Sequence, residues 1–401
     1  MLEMLVYRAS AAPAPIPALA RPLLAVYGKR GARLACLEDE AIRDWTIADP
    51  SPSISVVPDG LGGQPKRHDT VFPAVRARLF HGLTMNSQSG QLVQDNKVLI
   101  PRNQFNDVAR IESTGGNLSY YDLKCCVGGK PTQQIEKGIA ITGDGSFNWY
   151  HFMIEILPSA FLSARLPPEL DDFPLLVPEE CETIASFRDA LEAVNKFRKV
   201  IVLRSTQNYQ IRNLVMIDPV VVSPFNMNKN VWPIVDDYRQ HEVILRDYFA
   251  AMRNSLGGTA SEGMDRIFIV RSNRNRSYNE ASLVDMAIGR GFKAVAPEKL
   301  TLREQARLIS SCGMMIGASG SAWVNMMFRS HPLVGLSWLI PQYKGFCTYS
   351  NLARIMGHDL SFIEAVPKGK IACSGDAFIA EYRVDQKRFA DLLDRVCDRA
   401  S

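Results

Sequence analysis

Asn148, His151 and Glu155 stand three and four residues apart in GDGSFNWYHFMIEILP, so on a helix they share one stripe while Phe152, Ile156 and Leu157 turn elsewhere. A histidine and a carboxylate within hydrogen-bond reach tune each other's proton affinity, which is what a general base requires. The plain alternative is a structural ion pair, of the two with each other or with Arg165. The preceding turn supplies Asp144 or Ser146 as a helix cap and sets Asn148 and His151 at the mouth of a sheet. Asp144 is the next carboxylate in line as a base.

A second group is basic. RIFIVRSNRNR holds Arg266, Arg271, Arg274 and Arg276 in eleven residues without an acid, the last three directly after a strand-like run. Guanidinium forks bind diphosphate oxygens in pairs and offset leaving-group charge without a metal. A solvated charged turn is the rival reading. The third group is GASGSAWVN, Gly317 to Asn325, whose small residues admit a ligand close to the backbone and whose amides open a helix. It lacks the third glycine of a dinucleotide fingerprint and the lysine of a P-loop. The chain has no DxD, the usual carboxylate pair that holds Mg²⁺ or Mn²⁺ on a nucleotide-sugar diphosphate. GxSxG and HExxH are missing as well, which weakens hydrolase and metalloprotease readings.

These groups sit in an alternation of β-like and helical runs that begins near Gly138. GIAIT is followed by a helix to about residue 166, then PLLVP, a helix over Ile184 to Phe197, KVIVL and LVMID. After the polar SPFNMNKNVWP and a helix ending near Asn254, a second series follows: RIFIVR, a helix over Ser282 to Gly289, KAVAP, another helix, GMMIGA and LVGLSWL. Such alternation predicts βαβ units around mostly parallel sheets. Thr301 with Glu304 three residues later forms a capping box that fixes one helix start. The expected layout is an irregular segment over 1–70, a first α/β domain over 71–235, a second α/β domain over 236–383, and an amphipathic helix in 384–401 returning to brace the first half.

With 401 residues, 46% of them hydrophobic, the chain suffices for two domains with a cleft between them. Its net charge of +4 gives no general reason to expect nucleic acid. Eight scattered cysteines without zinc-site spacing read as reduced thiols of a cytoplasmic protein. The Pro-interrupted stretch Ala9 to Ala20, between Arg8 and Arg21, lacks the apolar run of a signal peptide, and no uninterrupted apolar span of membrane length occurs.

The ordered series formed by GDGSFNWYHFMIEILP and RSNRNRSYNEASLVDMAIGRGFKAVAPEKLTLREQARLISSCGMMIGASGSAWVNMMF resembles glycosyltransferase family 61, including its bacterial capsular polysaccharide biosynthesis members. The similarity spans roughly residues 138 to 365. It implies a GT-B type fold, two Rossmann-like domains facing a central cleft, with a nucleotide sugar on the C-terminal one and transfer with inversion. By position it implies that Asn148, His151 and Glu155 are the acceptor-side stripe. Arg271, Arg274, Arg276, Asn279, Glu280, Glu298, Gln305, Gly317, Ser319, Gly320, Ser321 and Asn325 would form the donor side. Ser319 stands where many members have histidine, and Ala318 where they have proline. The resulting expectation is an inverting, metal-independent transferase acting on a surface polysaccharide or glycolipid hydroxyl, with Glu155 as base and His151 orienting it, the two roles being exchangeable. No cofactor is expected, only the nucleotide sugar as co-substrate, and peripheral contact with the inner face of the membrane or with an assembly complex fits such acceptors. The rival is a non-catalytic sugar-nucleotide or glycan-binding subunit of a polysaccharide assembly complex.

Overall fold

The computed structural model describes residues 29–60, 67–87, 92–102, 110, 118–121, 124–223, 231–257, 265–271 and 276–399. Among them the fold is mixed α/β, built on two main sheets.

The first sheet has eleven strands. Val200–Leu203, Leu175–Pro178, Gln133–Ala140 and Tyr209–Ile217 lie side by side and parallel. Leu175–Pro178 is buried at all four positions, as expected for a parallel strand covered on both faces. Beyond Tyr209–Ile217 the sheet turns antiparallel through Val75–Met85 and continues into the N-terminal strands. Helical residues 149–165 connect Gln133–Ala140 to Leu175–Pro178, which puts the Asn148, His151, Glu155 stripe at the carboxyl end of a parallel strand.

The second sheet is wholly parallel. Its spatial order is Lys293–Val295, Asp265–Ile269, Cys312–Ala318, Val334–Leu339 and Asp359–Glu364, that is 2-1-3-4-5 in chain order. In such a doubly wound sheet the connections leave toward opposite faces on either side of the first strand, opening a crevice at the carboxyl ends of the first and third strands. Those ends are Ile269 and Ala318, two residues before Arg271 and one before Ser319. The crossover helix Leu302–Ser310 starts with the Thr301 and Glu304 capping box read from the sequence.

Two sequence expectations are corrected. The segment expected to be irregular carries strands from Lys29 onward: Lys29–Cys36, Arg43–Ala48, Ser51–Val56 and Arg67–Phe72. The period-two signal in Ser51–Val56 is borne by Ser51, Ser53 and Ser55, all fully buried, so no apolar alternation announces it. Its pairing partner is Arg67–Phe72, and Gln240, Glu242 and Asn351 bond to its backbone or hydroxyls. The C-terminal helix, Gln386–Arg399, packs chiefly on the second half and meets the N-terminal segment only at its start, where Arg388 donates to the Gly60 carbonyl at 3.3 Å. It buries Phe389, Leu393 and Val396 in the core of the second sheet with Phe268, Leu336 and Trp338, and Asp394 pairs with Arg290.

The halves share a core instead of meeting at a loose linker. Helix Glu242–Leu256 places Ile244, Leu245, Tyr248, Phe249 and Met252 in one cluster with Ile139 and Val177 of the first sheet and Ile267 and Met315 of the second. The Tyr248 hydroxyl donates to the Met153 carbonyl at 2.8 Å, and Arg253 donates to the Met327 carbonyl at 2.8 Å. Cys36, Cys181, Cys312, Cys347 and Cys373 carry free thiols. Among the described residues no helix is long and apolar enough to cross a membrane.

Candidate functional site

The first component starts at a turn in which Gly145 takes a φ of 75°, a conformation that glycine adopts without strain. The Asn148 side-chain oxygen accepts the Tyr150 amide at 2.9 Å, so Asn148 caps the helix it opens. His151–Ile156 is wound as a π-helix, a form often found at functional positions. Phe152, Met153, Ile154 and Ile156 are buried. Along the polar stripe the His151 Nδ1 and Glu155 Oε2 atoms lie 2.7 Å apart, each side chain being 15% exposed. The other carboxylate oxygen accepts from the Ser223 hydroxyl. A carboxylate is an acceptor only, so this contact requires the proton on Nδ1. Asp144 is half-buried in the preceding turn.

The second component lies at the crevice of the parallel sheet. The Arg271 amide donates to Glu280 Oε1 at 3.1 Å, and the Tyr278 hydroxyl donates to the same oxygen at 2.5 Å. The Arg271 guanidinium donates to the Ser319 carbonyl, tying the end of one strand to the Gly-rich turn after its neighbour. Close approach is enforced by glycine: a Cβ on Gly317 would come within 2.9 Å of the Ile269 Cβ and carbonyl oxygen, and one on Gly320 within 3.3 Å of the Arg271 Nη2. Arg276 has a φ of 57°, rare for a residue with a side chain. Burial, reinforced by the like charge of Arg271, pushes its guanidinium below its ordinary proton affinity. Neighbouring guanidinium groups of this kind are chemically able to hold an anion.

The remaining expected donor residues divide. Ser319 is buried at the turn, and Ser321 is half-buried at the start of the 3-10 helix Ser321–Phe328. Glu298 is exposed just past strand Lys293–Val295. Asn279 is engaged with the backbone of Val384 through both side-chain ends, at 2.9 and 3.0 Å, and so fastens the C-terminal segment. Gln305 and Asn325 are buried and bonded to each other at 2.8 Å, with Gln305 also donating to the Leu300 carbonyl and Asn325 accepting the Trp149 indole N–H at 3.2 Å. That chain of contacts joins the stripe-bearing helix to the second sheet. Arg274 lies outside the described residues.

Two residues in the site escape sequence reading. Ser223 is 68 positions from Glu155, and nothing in its neighbourhood marks it. Tyr349 opens the helix Thr348–Met356 among other aromatics, and its significance comes from position alone. Its ring is edge-on to Tyr150, 5.8 Å between centroids, and Tyr150 is edge-on to His151 at 5.3 Å. Burial raises the proton affinity of the Tyr349 phenol, Arg276 and Arg271 lower it, and Glu155 raises it again. The two components therefore lie within electrostatic reach of one side chain. Among the described residues no group of three or more His, Cys, Asp and Glu side chains could hold a metal ion.

The family model described as Glycosyltransferase 61 matches residues 149–334, a stretch that runs from the stripe helix through the Arg271 strand end to the Gly317 turn. No curated protein matches the chain significantly.

Proposed function

We propose, from the premise that residues 149–334 are a glycosyltransferase 61 domain, that the protein is an inverting glycosyltransferase that moves a sugar from a nucleotide-sugar donor to a hydroxyl of a surface polysaccharide or glycolipid. The doubly wound second sheet takes the donor, and the first half presents the acceptor, in the manner of a GT-B enzyme. What best supports this is that the glycosyltransferase 61 match spans both the carboxylate–imidazole pair of His151 and Glu155 and the arginine-bearing strand end tied to its Gly-rich turn. Inverting transfer needs both elements, because proton removal and leaving-group stabilisation act on opposite sides of one anomeric carbon.

In this reaction the acceptor oxygen forms a bond to the anomeric carbon as the bond to the diphosphate breaks. The bonding electron pair leaves on the diphosphate, and the acceptor's proton goes to the base. The doubly held Glu155 favours the exchanged assignment of roles: His151 takes the proton at Nε2, and Glu155 fixes the tautomer and stabilises the imidazolium. Arg271, Arg276 and the backbone around Gly317 receive the diphosphate, whose charge two guanidinium groups can offset without a divalent ion.

The test is a thermal-shift screen over nucleotide sugars, followed by transfer assays with saccharide and glycolipid acceptors and determination of the product's anomeric configuration. A donor present at a hundred times its Kd stabilises the protein by about 2.7 kcal/mol. A product of inverted configuration is expected. Donor binding without transfer or donor hydrolysis would instead identify a binding subunit.

A further inference from the structure

Phe147 is 59% exposed, although it stands immediately before Asn148, the cap of the helix that carries the His151 and Glu155 pair. An apolar residue just ahead of a helix cap commonly packs on the fourth residue of the helix, which here is Phe152. Phe152 is instead fully buried beside Phe187, with ring centroids 4.5 Å apart, and Phe147 makes no ring contact among the described residues. Phe197, another exposed phenylalanine, lies under the Arg198 guanidinium at 4.9 Å; Phe147 has no such cover. Its backbone is nonetheless held on both sides. The hydroxyls of Thr142 and the buried Ser146 donate to the Ser87 carbonyl at 2.5 and 3.4 Å, and the Asn148 amide donates to the Gly145 carbonyl at 2.7 Å. We propose that Phe147 is a specificity-determining residue of the acceptor side, its ring being the platform on which a pyranose of the acceptor stacks beside the hydroxyl that loses its proton. This inference rests on the transferase reading above and narrows it to a saccharide acceptor.

Two features of the fold put Phe147 beside the proton-handling pair. Its turn lies beyond the carboxyl end of strand Gln133–Ala140, the edge at which parallel sheets hold ligands. Phe147, His151 and Glu155 also follow one another at intervals of four, and the last two meet at 2.7 Å, so Phe147 stands one turn ahead of the pair on the row they share. A pyranose carries C–H groups on its flatter face and hydroxyls around its edge. The negative face of a phenyl ring attracts the C–H groups and leaves the hydroxyls to polar partners. Asp144 and Asn148, both half-buried in the same turn, are of that kind. A ring with two rotatable bonds on a fixed turn gives up little freedom when it binds. A nucleobase also has a stacking face, but Arg271 and the Gly317 turn belong to the second sheet and Phe147 to the first.

The deciding variants are Phe147→Ala, Phe147→Leu and Phe147→Tyr in the whole chain. The probes are methyl glycosides and disaccharides of glucose, galactose, mannose and xylose, used in saturation-transfer NMR for binding and as acceptors for transfer. Phe147→Ala and Phe147→Leu should raise the acceptor KM about tenfold, with donor Kd and Tm unchanged and kcat at saturating acceptor within about twofold of wild type. Phe147→Tyr should keep the wild-type KM. An unchanged KM in Phe147→Ala overturns the proposal. So does an unchanged KM in Phe147→Leu, which would give the contact to an acyl chain, and so does a donor Kd weakened in step, which would give it to the nucleobase. If the wild-type protein binds a probe but transfers to none, the transferase reading fails by itself. The contact is then decided by NMR: a saccharide signal lost in Phe147→Ala and kept in Phe147→Tyr upholds it, and equal signals remove it. Transfer to a glycolipid with no saccharide probe bound overturns the platform and leaves the transferase reading standing. Neither binding nor transfer overturns both.

Discussion

The two components of the site are built in opposite ways. On the second sheet, backbone places the groups: parallel register sets Ile269 opposite Gly317, and glycine lets the Arg271 strand end and the Ser319 turn touch. On the first half, side chains place them: His151 leans on Glu155, and Glu155 on Ser223 from a distant loop. A position dictated by strand order tolerates most single substitutions, because many hydrogen bonds define it. A position dictated by one or two side-chain contacts does not. In the proposed reaction a backbone-built edge would bind the anion and a side-chain-built stripe would handle the proton, and the two should fail separately.

The sharpest way to break that division is Glu155→Gln. It preserves size but removes the charge that would stabilise an imidazolium on His151, and kcat should fall by about 10² or more. Donor Kd should stay within about twofold of wild type, because the arginines sit on the other half. Turnover near the wild-type rate would remove Glu155 from the proton-handling step, Asp144 being the next carboxylate along the chain. Loss of donor binding as well would show that the stripe is structural.

The converse experiment attacks the anion-binding edge. Arg271→Ala and Arg276→Ala should each weaken nucleoside-diphosphate binding about tenfold or more, since a charge-assisted hydrogen bond is worth roughly 1.5–3 kcal/mol. Tm should change little for Arg271→Ala, whose backbone amide still donates to Glu280. Unchanged affinity in both variants by isothermal titration would reduce the arginine-rich loop to a solvated turn.

The same contrast explains what the sequence reveals. Strand and helix alternation from Gly138 onward, the Thr301 cap and the Arg271 strand end are legible because local periodicity and capping chemistry determine them. The 51–56 strand is hidden because serines carry its alternation, and the destination of the last helix is hidden because amphipathicity shows that a helix packs without showing where. Asn279, Gln305 and Asn325 have the polarity of ligand-binding residues, yet their contacts fasten backbone and join halves. Residue type cannot separate a buried strut from a donor contact when both need the same amide. Tyr349 and Ser223 become visible only when the chain is folded, since each is defined by groups far away in sequence.

Where the two halves meet, the division can be sharpened. Asn325→Leu removes the acceptor for the Trp149 indole and the donor to Gln305, leaving two polar groups unsatisfied in a buried place. Stability should fall by about 1–3 kcal/mol in denaturant titration. Transfer should suffer less than in Glu155→Gln, provided the remaining folded protein keeps the His151 and Glu155 contact. A larger loss of kcat than of stability would mean that the Trp149 link itself aims the stripe at the second sheet.

The smallest effect should come from chelation, and it examines the anion-binding edge on its own terms. A sugar-nucleotide enzyme that relies on a divalent ion commonly holds it with a carboxylate pair, and the sequence has no DxD. Among the described residues Arg271 and Arg276 follow the strand Asp265–Ile269, and Arg271 donates to the Ser319 carbonyl. Guanidinium groups bind diphosphate oxygens in pairs and carry their charge at any working pH. Transfer measured in excess EDTA should therefore match the untreated rate, and added Mn²⁺ should not raise it. Arg271→Ala supplies the internal comparison: if arginine does the neutralising, its loss weakens the enzyme and Mn²⁺ does not replace it. Activity lost on chelation and restored by Mn²⁺ in the wild-type protein would instead give the diphosphate's charge to a metal and leave the arginines a supporting part.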